Sequence, residues 1–218
     1  MENNIILTFE EVFCDINFAM YNTMLKNISS FGFYLYDPMK LYTNKEFNNR
    51  PVNTLSNFCR KDLSGIDYFR FNVLLKRLFY ETDFCNGIKL NNVIKKMLNP
   101  TFLKSDKVDN IFIICEAGSD HSFETKKKFI NKHFSSKKIK LIRKNVNQSI
   151  EEIVEKLNWT LFVTENIKYV IQIAEDKNID LEKKEFLIKK TGYNKMPEHV
   201  TKLIEFKNAS IRFYKEEY

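Results

Sequence analysis

Four groups of polar residues follow short apolar runs in this sequence, and they carry the chemistry that the chain could perform. The groups lie at residues 15–17, 115–119, 143–144 and 164–166. Carboxylates and amides bind hard cations, and a carboxylate can also act as a nucleophile. The structural alternative is that Asp15 and Asn17 cap a helix, and that Glu165 only interacts favourably with a helix dipole.

Strands and helices alternate from residue 111 onward, and this alternation would position those polar groups. Apolar β-prone runs predict strands at 12–14, 111–115, 139–142, 159–164, 184–189 and 210–214. Helical spacing predicts helices at 18–30, 67–82, 88–98, 122–134, 149–157, 167–178 and 199–206. Such alternation is typical of an α/β fold with a doubly wound, mostly parallel sheet. Ligands of such sheets bind at the carboxyl ends of the strands.

The same pattern predicts two domains. The α/β core comprises residues 1–17 and 105–218. A helical cap, residues 18–104, is inserted after the first strand.

Composition excludes several classes of protein. The chain has 218 residues, of which 44% are hydrophobic and 29% charged, so it can bury a core. Its formal net charge is +7, which permits an anionic partner without requiring one. It has no nucleic-acid-binding signature and no apolar run long enough to span a membrane, and its first residues lead us to expect no secretory leader. We expect a cytoplasmic protein, and the Lys-, Asn- and Ile-rich composition indicates an AT-rich genome, such as that of a phage.

Several segments resemble the haloacid dehalogenase-like (HAD) phosphohydrolase superfamily, in particular its nucleotidase-like members. Members begin with a strand ending in Asp-x-Asp, and VFCDIN at 12–17 is similar to this motif with Asn as the second residue. FIICEAGSD at 112–120 lies where the family has a strand ending in Ser or Thr. LFVTENIKYVIQIAE at 161–175 resembles the strand with paired acids, and FLIKKTGYN at 186–194 resembles the strand after it.

The resemblance implies a role for each candidate residue. Asp15 would be the nucleophile and a Mg²⁺ ligand, and Asn17 would occupy the acid/base and second metal position. Glu165 would be the other metal ligand, and Lys144, or alternatively Lys126, would bind the phosphoryl group. The remaining phosphoryl-binding candidates are Cys115, Glu116 and Ser119.

The departures from the family pattern predict impaired or lost activity. Asn17 cannot exchange a proton at neutral pH, and Thr164 stands where the family has an acid. The chain would therefore be a Mg²⁺-dependent phosphomonoester hydrolase only if it is still active. The alternative is a pseudoenzyme that keeps the fold as a binding or structural module, for example a phage accessory protein.

Partners follow from these alternatives. A phosphorylated small molecule or a protein is expected, nucleic acid is disfavoured, and no membrane is involved. The basic stretch 126–144 is interpreted as a solvated helix face, with an anion-binding or docking face as the alternative.

Overall fold

The computed structural model describes most of the chain and divides it into two compact units. The described ranges are 3–10, 12–14, 16–35, 62, 64–80, 84, 88–145, 147–190 and 195–215. The larger unit comprises residues 1–14, 90–190 and 194–217. The smaller unit comprises residues 15–89, 191–193 and 218. Residues 90–104, assigned to the insert from the sequence, therefore belong to the larger unit.

A six-stranded parallel sheet forms the centre of the larger unit. Its strands are β1 (Ile5–Thr8), β2 (Ile111–Glu116), β3 (Ile139–Lys144), β4 (Leu161–Thr164), β5 (Glu185–Lys189) and β6 (Ser210–Tyr214). Their spatial order is β3-β2-β1-β4-β5-β6, and each neighbouring pair is parallel. The predicted doubly wound α/β sheet is thus confirmed. The order reverses at β1, and ligands of such sheets bind beyond the carboxyl ends of the strands near this reversal.

The first strand lies earlier in the chain than predicted. The prediction of a strand at 12–14 is wrong, because Val12 and Phe13 form a turn and Cys14 makes only an isolated bridge with Glu10. The strand is β1, whose Ile5 is in register with both Ile111 and Leu161. Both apolar runs are buried, so burial alone does not distinguish the paired run from the packed one.

Helices of the larger unit connect the strands. They are α4 (Asn92–Met97), α5 (Pro100–Lys104), α6 (Asp120–His133), α7 (Glu151–Val154), α8 (Ile167–Glu175) and α9 (Glu198–Phe206). The predicted capping box at Ser149 and Glu152 contributes one bond, from the Glu152 amide to Ser149 Oγ at 3.3 Å.

A dense apolar core stabilises one side of this architecture. Trp159 is 1% exposed, and its ring lies 5.5 Å from that of Phe186 and 5.8 Å from that of Phe162. Val170 and Ile173 of α8 are buried in the same cluster. Since β4 and β5 supply the two phenylalanines, this cluster fixes the strand ends that follow them.

The smaller unit is helical where the structure describes it. It contains α1 (Ile16–Lys26), α2 (Ile28–Phe31), a 3₁₀ turn (Gly32–Tyr34) and α3 (Gly65–Leu78). The predicted helix 18–30 is therefore two helices, with Asn27 between them. Phe31 and Phe71 are fully buried and pack edge to face at 5.6 Å. None of the helices in the described part of the chain is long and apolar enough to cross a membrane.

Candidate functional site

The carboxyl edge of the sheet brings several polar side chains together. We use this name for the ends of β1 to β5 and the residues that immediately follow them. These strands end at Thr8, Glu116, Lys144, Thr164 and Lys189. Four of these five are buried, and Glu116 is exposed. Buried polar and charged groups are costly unless they are paired. The pairs at this edge therefore decide what chemistry it can perform.

Two threonines stand at the ends of the adjacent strands β1 and β4. Thr8 Oγ1 donates to Thr164 Oγ1 at 3.1 Å. The Thr164 hydroxyl oxygen also accepts from the backbone N–H of Asn166 at 3.0 Å. The central strand pair thus ends in hydroxyls that bond to each other, where the resemblance implies carboxylates.

The buried Lys126 of α6 forms an ion pair with Glu10, which follows β1 and is half-buried. Lys126 Nζ donates to Glu10 Oε1 and to the backbone carbonyl of Glu116. It also lies 5.5 Å from the centre of the Phe9 ring. Only 2% of the Lys126 side chain is exposed, against 28% for Glu10. The carboxylate that follows β1 is therefore neutralised by a lysine of the same chain.

Lys144 and Glu116 form a second, looser pair at the ends of β3 and β2. Lys144 Nζ lies 4.0 Å from Glu116 Oε1, and the two residues are in register. The ammonium also lies 5.6 Å from the centre of the Tyr169 ring. The structure thus brings together Lys144 and Glu116, two of the residues selected from the sequence.

Cys115 is buried at the same edge and is poorly suited to nucleophilic chemistry. Burial raises the pKa of its thiol, and the nearby Glu10 carboxylate raises it further, while Lys126 opposes both. The thiol is therefore uncharged at neutral pH, and it is the thiolate that attacks or ligates. Cys115 packs as a core residue.

Other candidates cap helices. Ser119 is the N-cap of α6, and its Oγ accepts from the Ser122 amide at 3.2 Å. Asn166 caps α8 by accepting from the Lys168 amide at 3.1 Å. Glu165, between β4 and this cap, is half-buried.

The predicted nucleophile Asp15 lies outside the described residues. Asn17 lies in the first turn of α1, and its side chain is likewise outside the described part. The roles assigned to both residues stay predictions. Because β1 ends at Thr8, the residues that directly follow it in the chain are Phe9 and Glu10.

The described residues do not fit a Mg²⁺ site. Mg²⁺ requires several oxygen ligands, usually including one or two carboxylates. Within the described ranges, no three His, Cys, Asp or Glu side chains gather where they could hold a metal. Glu10, which follows β1, is already bound by an ammonium, and β1 and β4 end in the hydroxyls of Thr8 and Thr164.

Sequence reasoning missed Glu10 and misjudged Lys126. The sequence favours a solvated face for the stretch 126–144, with Lys126 as the alternative phosphoryl-binding lysine, yet Lys126 is buried, as is Lys144. A signal was present, because Lys126 precedes the buried Phe129 and Ile130 by three and four residues and so shares their helix face. Glu10 could have been found by taking residues 5–8, rather than 12–14, as the paired strand.

Comparisons with known proteins give likenesses in structure only. No family model matches the sequence, and no curated relative does. A crystal structure of a "putative beta-phosphoglucomutase" from Thermotoga maritima is 15% identical with a TM-score of 0.49, covering 98% of this chain and 94% of that one. A HAD hydrolase of family IA, variant 3, from Entamoeba histolytica is 10% identical with a TM-score of 0.42, covering 98% and 83%.

These likenesses are too weak to carry an argument about activity. The class of protein follows instead from the strand order, the parallel register and the long insertion between β1 and β2. Together these features define a doubly wound α/β domain with a long insertion after its first strand.

Proposed function

We propose that this chain is a HAD-type α/β domain in which phosphomonoester hydrolysis is strongly impaired or lost, and that the fold is kept for binding. The observation that carries this proposal is the ion pair between Glu10 and Lys126. The first carboxylate after the central strand is neutralised within the chain. A carboxylate neutralised in an ion pair is a poor nucleophile and a poor metal ligand.

The remaining chemistry of the carboxyl edge supports the same proposal. The route implied by the HAD resemblance needs a carboxylate that attacks phosphorus and a second acid that moves a proton. Thr8 and Thr164 present hydroxyls bonded to each other, and Cys115 presents an uncharged thiol. These groups can donate or accept hydrogen bonds, but they supply neither role.

A phosphorylated small molecule is the ligand class that the resemblance implies for this edge. Lys144 is the residue that we propose contacts it, since its ammonium lies at the end of β3. Its distance of 4.0 Å from Glu116 Oε1 exceeds that of a hydrogen bond, so the pair can open toward an anion.

Phosphate release tests the proposal. Wild type would be assayed on a panel of phosphomonoesters, nucleotides included, with Mg²⁺ and with EDTA. An active HAD phosphatase would serve as the positive control. Because a lost acid/base group costs about 10²–10⁴ in rate, we expect wild type to be at least about 10²-fold slower than that enzyme. Release within tenfold of it would overturn the proposal.

A pair of variants separates weak activity of this chain from a contaminant. Asp15→Asn removes the predicted nucleophile, and Asp106→Asn makes the same change at an exposed residue after α5. If the activity is lost, all three proteins release phosphate equally slowly. Fast, Mg²⁺-dependent release by wild type and Asp106→Asn, but not by Asp15→Asn, would show that the chain is a hydrolase with Asp15 as its nucleophile.

An apolar stripe on α3 favours a second candidate, a protein-interaction module. Ile66, Phe69 and Val73 are 66%, 67% and 49% exposed and lie on one side of the helix. Contiguous exposed apolar residues of this kind mark interaction surfaces. Light scattering across a concentration series, comparing wild type with Phe69→Ser, tests for self-association. A monomer at every concentration would argue against a second copy as the partner.

A further inference from the structure

The Lys126 ammonium sits in a closed set of contacts at the carboxyl edge. Its Nζ donates to one carboxylate oxygen, of Glu10, and to one backbone carbonyl, of Glu116. The face of Phe9 lies on another side, 5.5 Å away. The residue is 1% exposed. The site is therefore built for a cation and shielded from water.

The groups around Lys126 are those that also surround hard metal ions. Carboxylate and carbonyl oxygens are the preferred ligands of Mg²⁺ and Ca²⁺, and an aromatic face also attracts positive charge. The second oxygen of Glu10 faces the Glu116 amide at 3.5 Å, which orients the carboxylate. The Glu10 carboxylate and the Glu116 carbonyl thus present two oxygen atoms to a cation at this point.

The position of Lys126 on α6 explains why the chain itself supplies this cation. The helix begins at Asp120 after β2 and places Lys126 on its buried face, next to Phe129 and Ile130. A buried ammonium is costly without an opposite charge and hydrogen-bond acceptors. The carbonyl at the end of β2 and the carboxylate after β1 supply both.

We propose that Lys126 acts as a resident cation, replacing a divalent metal at the carboxyl edge, so that the folded domain needs no Mg²⁺ there and binds none. This inference rests on the proposed loss of hydrolysis and explains it physically. It also makes a statement about stability that does not depend on any reaction. Removing the ammonium leaves these two oxygen atoms to a divalent cation.

Thermal unfolding of the full chain with MgCl₂ or with EDTA tests the inference. Wild type is expected to melt at the same temperature in both. Lys126→Met is expected to melt roughly 6–12 °C lower in EDTA, because the half-buried Glu10 carboxylate loses its ammonium partner. Mg²⁺ at about 10 mM, acting on a site with Kd of about 1 mM, should then restore about 3–6 °C.

Three further variants serve as a substitute for Lys126→Met and as controls for its response to Mg²⁺. Lys126→Gln removes the charge but keeps a hydrogen-bond donor, and provides a readout if Lys126→Met does not fold. Lys144→Met removes another buried ammonium of this edge, which lies 4.0 Å from Glu116 Oε1, and should show no recovery with Mg²⁺. The double variant Glu10→Gln with Lys126→Met removes both charges and should lose the response to Mg²⁺.

The outcomes are unambiguous. A Mg²⁺-dependent rise in the melting temperature of wild type would overturn the inference, as would Lys126 variants that respond no more than Lys144→Met. Phosphatase activity in wild type would overturn the proposed loss of hydrolysis. With a wild-type melting temperature still insensitive to Mg²⁺, the role of Lys126 would stand.

Discussion

The two edges of the sheet satisfy their buried polar groups in different ways. At the carboxyl edge the partners are charged, as with Lys126 and Glu10. At the opposite edge, where the strands begin, the buried Asn4 bonds to neutral groups, while the charged Lys138, Lys184 and Glu185 are partly exposed. Asn110 Nδ2 donates to Asn4 Oδ1 at 2.9 Å, and Asn4 Nδ2 donates to the Asn158 carbonyl.

The difference separates structural from functional demands. Neutral amides bonded to the backbone hold β1 in register with its neighbours and avoid the cost of burying charge. Sheet pairing requires nothing more, so the buried charges, which within the described ranges lie at the carboxyl edge, have another cause. Ligands of doubly wound sheets bind at the carboxyl ends of the strands. Charged residues concentrated there are therefore typical of a ligand-binding site, even where, as here, they pair with each other.

The contrast between the two edges of the sheet is tested by removing one lysine from each edge and comparing the losses of stability. Lys126→Met should reduce the free energy of unfolding by about 3 kcal/mol, because it leaves the half-buried Glu10 carboxylate without its ammonium partner. Lys184→Met, near the beginning of β5, should cost under about 1 kcal/mol. Lys184 is partly exposed and bonds the Trp159 carbonyl at 2.8 Å, and burial lowers its pKa, so its charge is poorly compensated. Urea unfolding measures both, and equal losses would contradict the contrast between the edges.

A smaller loss of stability is expected from substituting Asn4, at the edge where the strands begin. Asn4 is 2% exposed, and Asn4→Ala leaves the Asn110 amide and the Asn158 carbonyl without this partner. The loss should be about 1–3 kcal/mol, independent of salt because no charge is removed. Asn147→Ala, at an exposed residue, is the matched control and should change stability by under about 0.5 kcal/mol. A loss that varies with ionic strength would show that Asn4 also interacts with a charged group.

The smallest effect is a pH dependence from His133 at the end of α6. Burial lowers its pKa from 6.5, and the neighbouring Lys132 and Lys95 lower it further. The folded state therefore binds the proton less readily than the unfolded state. Stability should fall as pH drops from 6.5 through the lower, folded-state pKa, and should be insensitive to this group above 6.5. Melting temperatures between pH 7 and 5 should fall less in His133→Gln, and identical slopes would remove His133 as a cause.

Sequence pattern alone located the strands from β2 onward and the helices that cross between them. Runs such as Ile111–Glu116 are short and apolar, and only pairing within a covered sheet buries them on both faces. The alternation then dictated parallel strands and a doubly wound order. Lys144 and Glu116 were selected on this basis, because residues that end neighbouring parallel strands meet at one edge.

Tertiary structure decided what local pattern could not. Residues 5–8 and 12–14 are both apolar and both buried, and only the presence of β2 and β4 on either side makes the first run the strand. The partner of Lys126 also depends on distant chain, since Glu10 is remote in sequence and reaches it only because β1 pairs with β2. Periodicity predicts which face of a helix is buried. The fold decides which carboxylate lies next to a lysine on that face.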